Sequence, residues 1–492
     1  MKIISVDTMR RLEQRAGDAG VQGFRLMCRA GTAAAAIIEK YCANRFRRVV
    51  FFCGGGNNAG DALVCAKELK LPHLILPFRP LENLKGEAGM AYRSFGRCLN
   101  ILAPENYDPA PGDLIVDALL GIGFKGTAIR PELAAALKIM ADARKTVIAF
   151  DLPSGLDGDS GIAAPETRPA ELTITFGMPK QGMFLNAGPR YCGKIVAAPI
   201  GVEKFPAPAA LPYTFFTSHD AEALLVRPAL EAHKNSRGKV LMLCGSCEYP
   251  GAALLASKGA LHFAGIVRTV SVQSSAMLHL PAALIPQLLP PGPEGELPPD
   301  ALKRCAPAAE ASQVVCAGCG WGSHVSPALL KDLLDFPGKI VLDADGLNLL
   351  SRHPGLWNFR SDVILTPHPG EALRLAQGFG IDTKGSREEF AARLSSRLGA
   401  VIVLKGFHTC VATPDGSVSV NGSGGPELAM AGSGDVLAGI TAGLAAQMED
   451  LGAAARLAVF LHGAAGDMGR GAVIADDLPR LAAECAANQT WW

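Results

Sequence analysis

The sequence predicts an α/β protein of two successive domains, and three observations carry that expectation. Short apolar runs recur between helical patterns, these runs are apolar throughout rather than alternating, and a proline-alanine segment separates two such series. Uniformly apolar strands are what a parallel sheet covered by helices on both faces requires, and their alternation with helices gives an α/β layer architecture. At 492 residues the chain exceeds what one core ordinarily holds, so two domains is the simplest count.

The first series follows two helical stretches and comprises residues 48–52, 114–116, 147–150 and 172–176. Residues 205–212, FPAPAALP, read as the linker. The second series comprises residues 240–243, 266–272, 314–316, 340–342, 363–365 and 401–404. The expected domains span 1–215 and 222–492, with the proline-rich residues 281–299 forming a long surface loop inside the second.

Composition narrows the partners. Lys plus Arg, 47, nearly balances Asp plus Glu, 46, so no overall field attracts nucleic acid or an anionic membrane, and a small ligand is expected. The most apolar helix-like run, 436–448, is too short to span a bilayer and contains Gln447. The opening MKIISVDTMRRLEQRAG lacks a signal-peptide core because Asp7, Arg10 and Arg11 interrupt it, and a cytoplasmic location is expected. Thirteen cysteines, an odd number spread over the whole length, suit reduced and buried thiols. Two CxxC pairs, Cys244/Cys247 and Cys316/Cys319, together offer the four thiols of a zinc site. Both lie where an apolar strand meets a Gly-containing loop, so packing and turn requirements explain them without metal.

In the first domain, GGGNNAGDA, residues 54–62, follows the strand ending at Cys53 and leads into a helical pattern. Glycines let the backbone pass close to a ligand, and free N–H groups at the helix start favour an anion. Two further strand ends carry an acid followed by a Gly-containing loop: Asp117 precedes ALLGIGFKGT, and Asp151 precedes LPSGLDGD. Ligands of open α/β sheets lie outside the carboxyl ends of the strands, where all three segments should converge. Oxygens of Asn58, Asp117 and Ser154 are able to gather a hard monovalent cation there, and the rival role for each aspartate is a helix N-cap or turn.

NNAGD, VDALLGIGFKGT and DLPSG resemble the epimerase domain of the family that repairs hydrated nicotinamide cofactors, NAD(P)HX. The resemblance implies a Rossmann-like three-layer fold. It also implies NAD(P)HX binding at Asn57, Asn58, Ala59, Gly60 and Asp61, at Gly121, Ile122, Gly123, Phe124, Lys125, Gly126 and Thr127, and at Asp151. A potassium ion is implied at Asn58, Asp117 and Ser154. The family's usual Gly after the loop aspartate is Ala62 here. Epimerising a carbon that bears hydroxyl beside a ring nitrogen needs a general acid/base, and Asp151 is the carboxylate best placed for it.

The strongest signal in the second domain is AMAGSGDVLAGITAGLAAQ, residues 429–447. Gly432, Ser433 and Gly434 open a long helix whose N–H groups and dipole suit phosphate, and Asp435 in its first turn reads as a general base. KGFHT follows an apolar strand, so Lys405 can neutralise nucleotide phosphate, and LTPHPGE sets His368 between two prolines at another strand end.

With YPGAALLA at Tyr249, HKNSRGKVLMLCGS and HGAAGD, these segments resemble ribokinase-like ADP/ATP-dependent NAD(P)H-hydrate dehydratases, and the two resemblances together cover nearly the whole chain. They imply that Ala252, Gly320, His368 and Asp435 hold the hydrated cofactor. Lys405, Gly406, Phe407, His408, Thr409 and Gly434 would hold the nucleotide. Magnesium is implied with ADP or ATP, and Asp343, Asp345 and Asn348 in LDADGLN are weaker candidates for its neighbourhood. The family's GPGLG is GCGWG here, residues 318–322. The expected activities are epimerisation of R- and S-NAD(P)HX and nucleotide-dependent dehydration of the S form, by a homo-oligomer. The rival reading is a small-molecule kinase carrying a non-catalytic N-terminal binding module.

Overall fold

The computed structural model describes residues 1–42, 45–225, 228–274, 280–469 and 473–488. The chain divides into two compact units, with the division between Pro212 and Tyr213.

The first unit is built on six parallel strands: β1 (Arg48–Cys53), β2 (His73–Pro77), β3 (Asp113–Ala118), β4 (Thr146–Phe150), β5 (Leu172–Phe176) and β6 (Lys194–Ala198). Their order is β2-β1-β3-β4-β5-β6. Along β1, Val49, Phe51 and Cys53 enter one core with the helices Gly23–Cys42 and Asn57–Glu68, while Val50 and Phe52 enter another with the helix Pro131–Ala143. Alternate side chains thus face opposite helical layers, which is why the strand is apolar at every position. The order reverses between β1 and β3, and a crevice opens at such a switch point.

Among the described residues the second unit carries ten strands: β7 (Thr214–Phe216), β8 (Lys239–Leu243), β9 (Ile266–Val272), β10 (Ile285–Leu289), β11 (Val314–Ala317), β12 (Lys339–Leu342), β13 (Val363–Leu365), β14 (Val401–Leu404), β15 (Cys410–Ala412) and β16 (Val418–Asn421). The order is β10-β9-β8-β11-β12-β13-β14-β15-β16-β7. Among these described strands, the β14/β15 and β15/β16 pairs are antiparallel and the other pairs parallel. Val240 and Met242 of β8 pack with the helices Ser433–Ala445 and Leu451–Gly469, and Leu241 and Leu243 are equally buried on the other face.

Two expectations are corrected. Residues 281–299 are not loop throughout, because 285–289 form β10; with Pro286 in its middle it occupies the sheet edge, where proline costs no ladder bond on the open side. Residues 214 and 215 belong to β7, which pairs with β16, so the second sheet starts before the expected end of the first domain.

Candidate active sites in the two units

In the first unit the ends of β1 and β3 approach so closely that a Cβ on Gly54 would run into the Leu119 carbonyl. Beyond them lies a cleft of about 1160 Å³, lined by Asn57, Asn58 and Asp61, by residues 119–125, and by Asp151. Exposed Arg10, Lys125 and Arg130 and half-buried Arg79 also line it, whereas Asp151 and Lys180 are buried. Cations toward solvent and acids toward the floor suit a phosphate-bearing ligand whose reacting end points inward.

Asp151 follows β4 with φ of 62°, a strained conformation for a residue with a side chain. Its Oδ1 accepts from Lys180 Nζ at 2.5 Å, and that ammonium also donates to Thr175 Oγ1 and to the Phe176 carbonyl, each at 2.9 Å. Asp61 and Glu13 stand near this pair. Burial first, then the Asp151 charge, raises both of their pKa values. The floor therefore offers an ion pair flanked by carboxyls that are held toward their protonated forms.

Beside it, Asn58 Nδ2 donates to the carbonyls of Leu120 (2.7 Å) and Phe150 (3.0 Å), while its buried Oδ1 has no hydrogen-bond partner among the described residues. The buried Asp117 carboxylate accepts from neutral groups, Ser154 Oγ at 2.6 Å, Ser154 N at 2.8 Å and Leu119 N at 3.2 Å. Burial raises its pKa against those bonds. An orphaned buried oxygen beside an uncompensated carboxylate fits a hard cation.

Four expected contacts are absent from the cleft wall. Residues 57–61 are the first turns of a helix rather than a loop, so Ala59 and Gly60 face the core, where a Cβ on Gly60 would crowd Met27 Cε at 2.6 Å and Ala88 Cα at 2.9 Å. Gly126 and Thr127 are exposed beyond the cleft lining. Ala62 sits in the same helix, whose backbone needs no glycine. Lys180, Glu13 and Thr175 went unread in the sequence. Lys180 had one signal, a lysine four residues past a buried strand end.

In the second unit, Asp343 follows β12, Lys405 follows β14, and the helix Ser433–Ala445 begins after Gly432, whose φ of 85° makes the turn. Lys405 Nζ lies 2.7 Å from Asp343 Oδ1 and 3.9 Å from Glu371 Oε2. A Cβ on Gly434 would be 3.3 Å from that ammonium, so the helix N–H groups and the lysine share one space. Burial disfavours the ammonium, but Asp343 and Glu371 outweigh it and raise its pKa. Burial and the Asp343 charge push Asp435 up to about 7, against a hydrogen bond from Cys319. Glu371 is likewise pushed up to about 7, first by burial.

Gly320 adjoins Ala252, where a Cβ would meet the alanine methyl at 2.6 Å, whereas Gly318 is closed off by the Asp343 carbonyl. His368 caps the helix Pro369–Phe379: its Nδ1 accepts from Gly370 N at 3.0 Å, and its Nε2 lies 3.3 Å from Glu371 Oε1. The ring is half exposed, and burial lowers its pKa. In KGFHT, Phe407 is exposed, His408 Nδ1 lies 3.1 Å from the Asn421 carbonyl, and Thr409 Oγ1 donates to the Gly406 carbonyl at 2.8 Å. Asp345 accepts from Gly322 N at 2.9 Å, and Asn348 Oδ1 from Arg374 Nε at 2.8 Å. Asp345 thus holds the loop at Gly322 and Asn348 joins two helices, which leaves Asp343 as the member of LDADGLN beside Lys405. Three partners went unread: Glu371, Arg387, which donates to the Phe407 carbonyl at 2.5 Å, and buried His462. Burial drives His462 down to about 4, and as a neutral ring it sits 3.1 Å from Ser433 Oγ.

A doubly wound unit with an acid-floored cleft, followed by a unit that sets a carboxylate and an ammonium at a glycine-opened helix, defines a two-domain α/β enzyme. A family described as NAD(P)H-hydrate dehydratase matches residues 240–485, and one described as YjeF-related protein N-terminus matches residues 23–182. A bifunctional NAD(P)H-hydrate repair enzyme from Moorella thermoacetica is 34% identical over 97% of this chain and 95% of its own length. Its counterpart from Coxiella burnetii is 35% identical over 96% and 97%. The crystal structure of a ribokinase-like superfamily protein from Enterococcus faecalis matches with a TM-score of 0.50 at 21% identity, covering 58% of this chain and 99% of that one. The likeness shows the ribokinase-like fold. The chain belongs to the family of bifunctional NAD(P)H-hydrate repair enzymes. No helix among the described residues is long and apolar enough to cross a membrane.

Proposed function

We propose that the first unit interconverts the R and S forms of hydrated NADH and NADPH, and that the second dehydrates the S form with a phosphoryl group taken from ADP or ATP. In the first unit the ring nitrogen expels the hydroxyl as water, to which Asp61 or Glu13, each held toward its protonated form, gives a proton; water then adds to the other face of the planar carbon while Asp151, held in place by Lys180, accepts its proton. Asn58, Asp117 and Ser154 would hold a potassium ion, which supplies positive charge at the cleft floor.

In the second unit Asp435 removes the proton from the ring hydroxyl as it is phosphorylated. The N–H groups at the start of the helix Ser433–Ala445 and Lys405 stabilise charge on the moving phosphoryl group. Loss of phosphate and then of the neighbouring proton restores the dihydronicotinamide. The carboxylates of Asp343 and Glu371 outnumber the one ammonium between them, a donor set that suits magnesium, which would neutralise nucleotide phosphates.

The observation that carries this reading is the convergence of Asp435, Lys405 and Asp343 on one glycine-opened helix start, with Asp435 raised to about 7. A general base is most effective when its pKa lies near the operating pH. The test supplies purified protein with each separated epimer of hydrated NADH, with and without ADP or ATP, and follows dihydronicotinamide absorbance. Nucleotide-dependent recovery of NADH with free phosphate is expected; a stable phosphorylated alcohol as product would establish the kinase reading instead.

A further inference from the structure

We propose that Cys244, Cys316 and Cys319 form a thiolate site for a soft metal ion, that the Asp435 carboxylate supplies its fourth ligand, and that occupancy shuts off dehydration. The last clause rests on Asp435 as the base.

The three sulfurs lie within 4.8 Å of one another, all in buried side chains of one core cluster. The topology brings them there. β8 and β11 are parallel neighbours with Leu243 opposite Ala317, so Cys244 just beyond β8 stands beside the end of β11, where Cys316 lies. The chain then turns through Gly318 (φ 102°) and Gly320 (φ 64°), conformations that favour glycine, and returns Cys319 to the same place.

Two bonds lock the loop: Trp321 Nε1 donates to the Leu243 carbonyl at 2.8 Å, and Gly245 N to the Cys319 carbonyl at 2.8 Å. The two departures from GPGLG therefore serve one construction, in which tryptophan ties the loop to β8 and cysteine supplies a sulfur. Cys247 is exposed and stays outside the group, which is why spacing alone did not reveal the trio.

Beyond one another the thiols reach only distant carbonyls: Cys244 Sγ lies 3.6 Å from the Cys316 carbonyl, and Cys316 Sγ 3.8 Å from the Ala438 carbonyl. Cys319 adjoins Asp435, which sets the sulfurs next to the helix start proposed to hold the nucleotide phosphates. Tetrahedral zinc with bonds near 2.3 Å sets its sulfurs about 3.8 Å apart, so the three sulfurs need a contraction of about 1 Å at most, and the Asp435 carboxylate, which lies outside their group, must swing in to complete the shell. Zn²⁺ replaces three thiol protons, which leave to solvent; the cluster with Asp435 then carries two negative charges facing the Lys405 ammonium.

The test titrates the reduced, metal-free full chain with cobalt(II). A near-ultraviolet thiolate-to-cobalt band with visible tetrahedral bands is expected, displaced by zinc and lost in Cys316→Ala. Zinc should lower the dehydration rate on the order of a hundredfold or more, as loss of a base does, and a zinc-selective chelator should restore it. Epimerisation should be untouched. Cys316→Ala should remain active and insensitive to zinc, with Cys244→Ala serving if that variant does not fold. No thiolate band, or a band and inhibition surviving in both variants, overturns the site. A band without inhibition overturns the fourth ligand and the shut-off, whereas metal-free dehydration that does not need Asp435 defeats the reading of the base and leaves cobalt binding as it was.

Discussion

Replacing Asp435 by Asn tests the chemistry and the energetics of the second site together. The rise of its carboxyl from the ordinary 3.8 to about 7 corresponds to at most about 4 kcal/mol, and water reaching a partly exposed side chain reduces this to about 1–2 kcal/mol. The folded-state value is the higher one. The protonated form therefore folds without penalty below about pH 4, and the cost of ionisation accrues as the pH rises to about 7. Above that the wild type bears it in full and the Asp435→Asn protein does not. At pH 8 the variant should unfold about 2–8 °C above the wild type, the difference narrowing as pH falls to about 4. Its turnover should drop roughly 100- to 10,000-fold, with nucleotide affinity within about tenfold. Wild-type dehydration should climb as pH rises through about 7, because the base must be ionised. Absorbance of the dihydronicotinamide and calorimetry of both proteins read these effects. Near-normal turnover would exclude Asp435 as the base, and a variant less stable than wild type at pH 8 would refute the electrostatic account of its pKa.

Lys405→Ala should weaken nucleotide binding at least about tenfold and, by leaving buried Asp343 unpaired, cost about 3–5 kcal/mol of stability; an unchanged dissociation constant in titration calorimetry would mean that the phosphates bind elsewhere. Asn58→Ala removes the orphaned buried oxygen, so epimerisation should lose its response to potassium; an identical potassium dependence would take Asn58 out of the cation site. Lys180→Met removes the donor that holds the Asp151 carboxylate, so epimerisation should slow at least about tenfold. Unchanged turnover would show that Lys180 does not position Asp151.

The central strands were legible because a buried parallel strand is apolar at every position, as Val49 to Cys53 show with two cores served alternately. The strands that escaped notice lie toward the edges. β2 and β6 are short and bounded by proline or lysine, β10 contains Pro286, and the hairpin of β15 and β16 needed its TPDGS turn to be read as a turn. Asp151, Asp117 and Asp435 were legible because each ends a strand or opens a helix beside glycine. Lys180, Glu13 and Glu371 were not, since each reaches its site from another element through a side-chain length that periodicity does not encode. The cysteine trio shows the same limit: two of its members share a CxxC spacing, and the third joins only through the pairing of β8 with β11.

Each sheet closes its own cores, so the two activities should separate when the chain is cut, and the structure dictates where. The cut belongs between Pro212 and Tyr213, because Thr214–Phe216 pairs with β16; a cut after Phe216 would strip that edge strand and leave Phe215, buried at 1% exposure, without its place. Given a mixture of both epimers, the second fragment alone should recover NADH quickly until the S form is consumed, and thereafter only at the rate of spontaneous interconversion. Adding the first fragment should restore rapid and complete conversion, whereas its Asp151→Ala variant should not. Lys180 is 1% exposed, so that variant also buries an unpaired ammonium. Asp151→Asn, which keeps an acceptor for the lysine, must therefore fail as well if the loss is chemical rather than structural. Complete conversion of both epimers by the second fragment alone would refute the division of labour, and an active Asp151→Asn fragment would show that the carboxylate positions Lys180 and does not itself move the proton.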